Sequence, residues 1–240
     1  MIQRTRQITT VGMLCAMAYA LVALVRVPLV LFLEYEPKDV VIAIGGLVYG
    51  PFTSFLAAAI VALLEMVTIS EDGILGCVMN VLSSCSFACT AAYIYGRRRT
   101  PGGAVLGLLC GWVLMAAVML LWNYLIAPLY MGQPREAVAA LLLPAFLPFN
   151  LVKGGLNAAL VLLLYKPVVT ALRRARLAEP TQAGAGGRAR GGIALLALAA
   201  LAALLCLAAA CSSVGDNSLT LSQSTVKNTV ILPSDTKPVY

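Results

Sequence analysis

The sequence predicts an all-α polytopic membrane protein, built as a six-helix bundle followed by one additional transmembrane helix. Of its 240 residues, only 11% are charged and 61% are hydrophobic, and the mean hydropathy is +0.92. Soluble domains carry about one-quarter charged residues, so this composition excludes a soluble fold. Several apolar runs are candidate helices across roughly 30 Å of hydrocarbon. They begin near Ile8, Val40, Phe52, Ile74, Ala104, Phe149 and Ile193.

The basic residues predict how these helices are oriented, because short cytoplasmic loops carry the excess of lysine and arginine. With the N-terminus inside the cell, 11 of the 17 basic residues fall on the cytoplasmic side. Most acidic residues then fall on the outer side, namely Glu34, Glu36, Asp39, Glu71, Asp72 and Glu136. The net charge of +7 therefore indicates membrane topology, and no nucleic-acid partner is expected.

The chain divides into four parts along its length. Residues 1–177 contain the six predicted helices, of which the run from Val40 is short and stops at Gly50-Pro51. Residues 178–192 are rich in small residues and predict a flexible cytoplasmic linker. Residues 193–211 form an Ala/Leu-rich run and predict a seventh helix, and the polar residues 212–240 predict a disordered tail outside the membrane.

The run 193–211 also resembles a lipoprotein signal, because basic residues and an apolar core precede small residues and Cys211. It departs from that pattern at Ala208, where lipoproteins prefer leucine, and such signals normally lie at an N-terminus. An ordinary seventh helix is favoured, and lipidation of Cys211 is the alternative.

A polar stripe within the sixth helix is the main candidate for a site. Asn150, Lys153, Gly154 and Asn157 follow the spacing i, i+3, i+4 and i+7, so they share one helix face. A lysine facing lipid would cost a few kcal/mol, so Lys153 should face the bundle interior or a wet cavity. Gly154 leaves room beside it.

Other polar and aromatic residues are expected at a similar depth near the outer surface. Asn80 lies early in the fourth helix, and Trp122 and Asn123 lie near the outer end of the fifth. Asparagines in membrane helices also join helices together, each contributing about 0.6 to 2 kcal/mol. Likewise, Lys153 could simply pair with Glu65 of the third helix. Both structural alternatives remain open at this point.

The predicted site suits a mostly neutral, planar molecule that forms hydrogen bonds. One lysine without arginines is poor equipment for a phosphorylated ligand, which usually requires bidentate contacts. Asparagine donates and accepts at once, which matches the imide edge of a ring such as a flavin, and lysine can donate to a ring carbonyl.

Catalytic and metal chemistry find little support in the sequence. No G-x-x-x-x-G-K-[ST] loop occurs, so the chain is not expected to hydrolyse ATP itself. Histidine is absent from the sequence. Cys85 and Cys89 lie four residues apart, but no second pair of cysteines has a spacing that would complete a metal site. We expect no enzyme activity, no metal and no cofactor.

Three stretches resemble the substrate-binding S components of energy-coupling factor (ECF) vitamin transporters, specifically the riboflavin-specific type. They are FLEYEPKDVVIAIGGLVYGP (32–51), WNYLIAPLYMG (122–132) and PFNLVKGG (148–155). The resemblance covers about residues 5–175. It implies a six-helix fold in a bacterial plasma membrane with both ends of that unit cytoplasmic.

The resemblance also implies a ligand and its contacts. Riboflavin, or a related vitamin, would be bound near the outer surface as transported cargo, and a transmembrane coupling subunit and two ATPase subunits would act as partners. By motif position, Asn123, Asn150 and Lys153 would hold the ring system, with Asp39 and Asn80 as weaker candidates.

The first helix carries a stripe of small residues, Gly12, Ala16 and Ala20, that permits close helix packing. In the family that the chain resembles, an alanine stripe here docks onto the coupling subunit. Packing within the monomer is the equally weighted alternative.

We therefore expect the S component of an ECF-type importer for riboflavin. Two alternatives remain, namely an S component for another vitamin and an ion-coupled carrier or channel that uses Glu65 and Lys153.

Overall fold

The computed structural model describes residues 2–30, 33–69, 73–132, 134–174, 197–200 and 202–204. The described elements are mostly helical. Their bounds are α1 (Ile2–Leu24), β1 (Val27–Val30), β2 (Leu33–Tyr35), α2 (Lys38–Tyr49), α3 (Pro51–Thr68), α4 (Gly73–Ser84), α5 (Thr90–Arg97), α6 (Pro101–Met131), α7 (Arg135–Leu141) and α8 (Leu147–Arg174). A π turn at Cys85–Cys89 joins α4 to α5, and another at Leu142–Phe146 joins α7 to α8.

The predicted six-helix fold is confirmed, since α4 with α5 and α7 with α8 each form one bent helix. Four of the six are long and apolar enough to cross a membrane, and α1 contains a shorter apolar helix, Ile8–Leu24. The 12-residue α2 is about 18 Å long at 1.5 Å per residue, too short to cross alone. It ends at Gly50, whose φ of +104° favours glycine, and Pro51 then begins α3.

Strands β1 and β2 form an antiparallel hairpin between α1 and α2, which the sequence analysis did not predict. We call this end of the bundle the hairpin end. Contacts between successive helices place the C-terminal ends of α3 and α6 at the same end. The opposite end carries Gly50 and Arg97–Arg99, and we call it the arginine end.

Pro144 and Pro148 lie where α7 continues into α8, and the backbone there forms the π turn Leu142–Phe146. Proline has no N–H to donate to the preceding turn and clashes with it, and the wider π turn accommodates both effects. The chain therefore continues from α7 into α8 without a break in helical backbone. A second π turn at Cys85–Cys89 was not predicted from the sequence.

Helix α6 packs closely on the α4–α5 helix through glycines spaced four residues apart. A Cβ at Gly107 would lie 2.7 Å from the carbonyl oxygen of Ala91, and a Cβ at Gly111 would lie 2.5 Å from that of Phe87. Gly103 similarly abuts the backbone of Arg98. This is the small-residue packing by which membrane helices approach each other closely.

The C-terminal predictions fall largely outside the described residues. The linker 178–192, the tail 212–240 and Cys211 lie wholly outside them. Of the predicted helix 193–211, residues 197–200 and 202–204 are described, and both stretches are helical. Leu204 lies against Gly155 of α8, with its Cδ1 2.7 Å from the position of a Cβ there.

We expect Gly111→Ala to destabilise the bundle, because the new methyl group would meet the backbone of Phe87 rather than a movable side chain. Overpacking of this kind typically costs about 1–3 kcal/mol. The measurement is the thermal unfolding midpoint in detergent.

Gly96→Ala is the matched control, since a Cβ at Gly96 meets nothing within 4 Å. It should leave the midpoint unchanged or raise it, because alanine favours the helix over glycine. Equal loss in both variants would contradict the close packing of α6.

Candidate ligand-binding site

Asp39 lies at the centre of a buried polar cluster at the hairpin end. Its side chain has no exposure, although it belongs to the first turn of α2. Ser84 Oγ of α4 donates to Asp39 Oδ1 at 2.5 Å, and Asn157 Nδ2 of α8 donates to Oδ2 at 3.3 Å. A single carboxylate thus connects three helices of the bundle.

Asn157 receives a second contact from the hairpin. The hydroxyl of Tyr35, in β2, donates to Asn157 Oδ1 at 2.9 Å. Burial, together with the nearby negative charge of Asp39, raises the pKa of Tyr35, so the hydroxyl keeps its proton for this bond. Tyr35 also packs against the apolar residues Phe149 and Val152 of α8.

Lys153 faces the bundle interior, as predicted, and is 8% exposed. Its Nζ lies 3.9 Å from Asp39 Oδ2. In the described part of the chain this ion pair is the only polar contact of the ammonium group, and it is longer than a hydrogen bond. The hydrogen-bonding capacity of Lys153 therefore remains largely unused.

The suggested ion pair between Lys153 and Glu65 is wrong. Glu65 Oε2 instead accepts from Lys38 Nζ at 2.5 Å and from Asn80 Nδ2 at 3.0 Å. Glu65 pairs with Lys38 because both lie at the hairpin end, Lys38 at the start of α2 and Glu65 in the last turn of α3. The ion-coupled alternative, which required Glu65 to work with Lys153, loses its structural basis.

The remaining predicted residues occupy different places around this cluster. Asn80 is half-buried and engaged by Glu65. Asn150 is buried on the same helix as Lys153, and its Nδ2 donates to the carbonyl oxygen of Phe146 at 2.7 Å, within the π turn. The Asn150 side chain thus supplies a donor to a backbone carbonyl in the π turn, where the regular hydrogen bonds of the α-helix are interrupted.

Asn123 is buried on α6 beside the π turn that precedes α8. Its neighbours one turn away, Leu120 and Ala127, pack in one cluster with Phe146. Trp122 is half-buried against the main core. The structure thus places the candidates Asn123 and Asn150 on facing helices, both near Phe146.

Two indole groups contribute further unused donors. Trp112 Nε1 and Trp122 Nε1 are buried and have no hydrogen-bond partner among the described residues. Trp112 fills the space beside Gly154, where the sequence predicted room for an approaching group. Buried donors without partners are rare, and a ligand with acceptor atoms is one way to satisfy them.

The polar groups of the cluster contact one another, and the predicted outward-facing pocket stays a prediction. A cavity of about 230 Å³ lies at the arginine end, between α2, α5 and α8. Its lining includes Tyr95, Arg99 and Tyr165, and none of the candidate ligand residues.

Several members of the cluster were missed by the sequence analysis. Tyr35, Glu36 and Lys38 flank Asp39 within the quoted stretch 32–51, but only Asp39 was considered as a contact. Ser84 lies four residues after Asn80, hence on the same face of α4, and this spacing was a usable signal. Lys38 was not considered, because it lies among the acidic residues Glu34, Glu36 and Asp39.

Burial disfavours the charged form of Glu36, but the ammonium of Lys38 outweighs this effect, with help from Lys153 and Arg26. The pKa of Glu36 is therefore lowered from its ordinary value. Glu36 Oε2 lies 2.7 Å from Lys38 Nζ, and Glu36 Oε1 lies 3.7 Å from Arg26 Nε. The side chain of Glu36, just before α2, is thus held in its charged form.

Polar and ionisable side chains buried inside a multi-pass helical bundle are typical of the substrate and ion sites of membrane transport proteins. The family model described as "ECF transporter, substrate-specific component" matches residues 6–165. The chain therefore belongs to the substrate-specific, or S, components of ECF transporters.

Similar proteins extend this comparison over most of the chain. The riboflavin transporter RibU of Staphylococcus aureus (strain TCH60) is 25% identical over 181 residues, covering 72% of this chain and 95% of that protein. The riboflavin transporter FmnP of Bacillus subtilis (strain 168) is 28% identical over 189 residues, covering 72% and 99%.

A solved structure entitled "Structure and mechanism of the S component of a bacterial ECF transporter" has the same fold. It is 26% identical, gives a TM-score of 0.61, and the match covers 71% of this chain and 99% of that one. The fold predicted from the sequence is thereby confirmed, and the chain is a component of a transporter.

We expect Tyr35→Phe to destabilise the ligand-free protein. It removes the hydroxyl that donates to Asn157 and leaves a buried amide oxygen without this donor. An unsatisfied buried polar group costs about 1–3 kcal/mol. The measurement is again the unfolding midpoint in detergent.

Tyr19→Phe is the control, because Tyr19 donates to Thr68 at a similar distance of 2.9 Å but in an exposed setting. Water replaces that partner, so the control should change the midpoint little. If both variants behave alike, the contact between hairpin and α8 does not stabilise the fold.

Proposed function

We propose that the chain binds riboflavin at the hairpin end and delivers it to a coupling module made of a transmembrane subunit and two ATPases. Family membership supports the partnership, and two riboflavin transporters among its relatives support the ligand. The single observation from the structure that carries the proposal is the buried ammonium of Lys153, whose 3.9 Å ion pair leaves its donors largely unused.

The chemistry of the site suits a flavin ring. Lys153 can donate to a ring carbonyl, and Asn123 and Asn150 can donate to and accept from the polar edge of the ring. Trp112 and Trp122 each carry a buried indole donor and an aromatic face. The contact of Lys153 with Asp39 balances its charge, so the site fits a ligand that is neutral overall.

The charge distribution supports an orientation with the hairpin end outside the cell. Arg97, Arg98 and Arg99 lie at the opposite end, as does the C-terminal end of α8 with Arg174. Positively charged connections stay on the cytoplasmic side, so the N-terminus is cytoplasmic and the ligand enters from outside. The membrane is then the bacterial plasma membrane.

The small-residue stripe of α1 suits a partner surface. Gly12, Ala16 and Ala20 are all exposed, while Leu14 and Ala18 of the same helix are buried in the bundle. The described residues therefore do not support packing of this stripe within the monomer. We assign it to the docking of the transmembrane coupling subunit.

The ligand proposal predicts that the purified protein quenches riboflavin fluorescence on titration. Lys153→Met should weaken binding by roughly 10- to 150-fold, because a hydrogen bond to a charged group contributes about 1.5–3 kcal/mol. Lys166→Met, an exposed lysine near the other end of α8, is the control and should bind as wild type. Wild-type protein that does not respond to riboflavin would refute the proposal.

The partner proposal predicts that Ala16→Leu retains riboflavin binding but loses uptake in cells that supply the coupling module. The larger side chain would hold a partner helix away from α1. Ala117→Leu, at an exposed alanine of α6, controls for the change in surface and should transport normally. Loss of binding together with uptake in Ala16→Leu would argue for a role in the monomer.

A further inference from the structure

Lys38 is the most completely enclosed cation in the described part of the molecule. Its side chain is 2% exposed, and its Nζ contacts Glu36 Oε2 at 2.7 Å and Glu65 Oε2 at 2.5 Å. Asn80 donates to the same oxygen of Glu65. Unlike Lys153, this ammonium is held by two carboxylates at close range and is not available to a ligand.

The two carboxylates come from different parts of the fold. Glu36 precedes α2 in the connection from the hairpin, whereas Glu65 lies in the last turn of α3. Lys38 therefore fastens the end of the hairpin connection to the bundle core.

The residues around Lys38 carry the contacts to the candidate site. Tyr35 donates to Asn157, and Asp39 accepts from Ser84 and Asn157 and pairs with Lys153. Tyr35 and Asp39 lie three residues before and one residue after Lys38. Because Tyr35 and Asp39 both contact Asn157 of α8, an immobile Lys38 keeps the segment between them in its position against that helix.

We propose that Lys38 is a positioning residue for the ligand site, which acts by linking Glu36 to Glu65 and so holds the segment Tyr35–Asp39 in place without contacting the ligand. Replacing it by a neutral side chain leaves two carboxylates facing each other in a region of low dielectric, where like charges repel strongly. The segment would then move away from α3, and Asp39 would no longer be set at its distance from Lys153. This inference rests on the proposed function.

The main test compares riboflavin release from wild type and Lys38→Met by stopped-flow fluorescence. Methionine keeps much of the length and apolar stem but removes the charge. We expect release at least tenfold faster, with an unchanged absorption spectrum of the bound flavin. Hydrogen–deuterium exchange of residues 33–41 in the ligand-free protein should also be faster.

The double variant Lys38→Met/Glu65→Leu tests whether Lys38 acts through Glu65 or independently of it. It removes the repulsion, and Glu36 retains Arg26, which lies 3.7 Å away. We expect its release rate to fall between those of wild type and Lys38→Met, and its folding to be at least as good as that of the single variant. The single variant Glu65→Leu completes the cycle. If the effects of the two single substitutions on the release rate simply multiply in the double variant, the two residues do not act through each other and the inference is overturned.

Other outcomes also decide the question. A shifted spectrum of bound flavin in Lys38→Met, with unchanged exchange of residues 33–41, would show direct ligand contact and overturn the inference. A lower unfolding midpoint with unchanged release would show a purely structural role and overturn it as well. If wild type binds no riboflavin, the proposed function fails, while the exchange experiment still tests the positioning of the segment.

Discussion

The burial of charged groups at the hairpin end is the constraint on which the rest of the structure depends. Asp39, Lys38 and Glu65 are each at most 2% exposed, in a bundle whose helices are otherwise strongly apolar. An unpaired charge in such an interior costs several kcal/mol, so each group requires partners of opposite charge or hydrogen-bond donors. The partners come from α2, α3, α4 and α8, and their positions tie the hairpin connection to those helices.

The two buried lysines show how one residue type serves two purposes. Lys38 has two carboxylates at hydrogen-bonding distance, so its charge is neutralised within the protein. Lys153 has one carboxylate at 3.9 Å, and that carboxylate already accepts bonds from Ser84 and Asn157. The ammonium of Lys38 thus has close acceptors within the protein, whereas that of Lys153 gains from an additional acceptor. This difference is the basis of the two roles that we propose, namely positioning for Lys38 and ligand binding for Lys153.

Much of the fold could be predicted from the sequence, because apolar runs and turn residues act locally. The short α2 and its end at Gly50-Pro51 are examples, as is the common face of Asn150, Lys153 and Asn157. The apolar character of a membrane span and the period of a helix are properties of short windows. The assignment of these three residues to a buried face therefore needed no knowledge of neighbouring helices.

The pairing of charges could not be predicted in this way. Glu65 had two possible partners, Lys38 and Lys153, and the choice depends on the depth at which each helix end lies in the bundle. The π turn Leu142–Phe146 was missed for a related reason, since Pro144 requires a departure from the α-helix but does not specify its form. The π turn Cys85–Cys89 contains no proline that would indicate it. The contacts of Gly107 and Gly111 with backbone carbonyls depend likewise on which helix lies opposite.

The arrangement of α1 connects the proposed partner surface with the buried charges. One face of α1 packs on α2 and α3, while Gly12, Ala16 and Ala20 face outward. The same two helices supply Asp39 and Glu65, so α1 lies between the proposed partner surface and the helices that carry these charges. Tightly packed interiors transmit small displacements, because their side chains have few alternative arrangements. A shift of α1 on docking would act on α2, the helix that carries Asp39, and this offers a route by which the proposed partner could influence the proposed ligand site without contacting it.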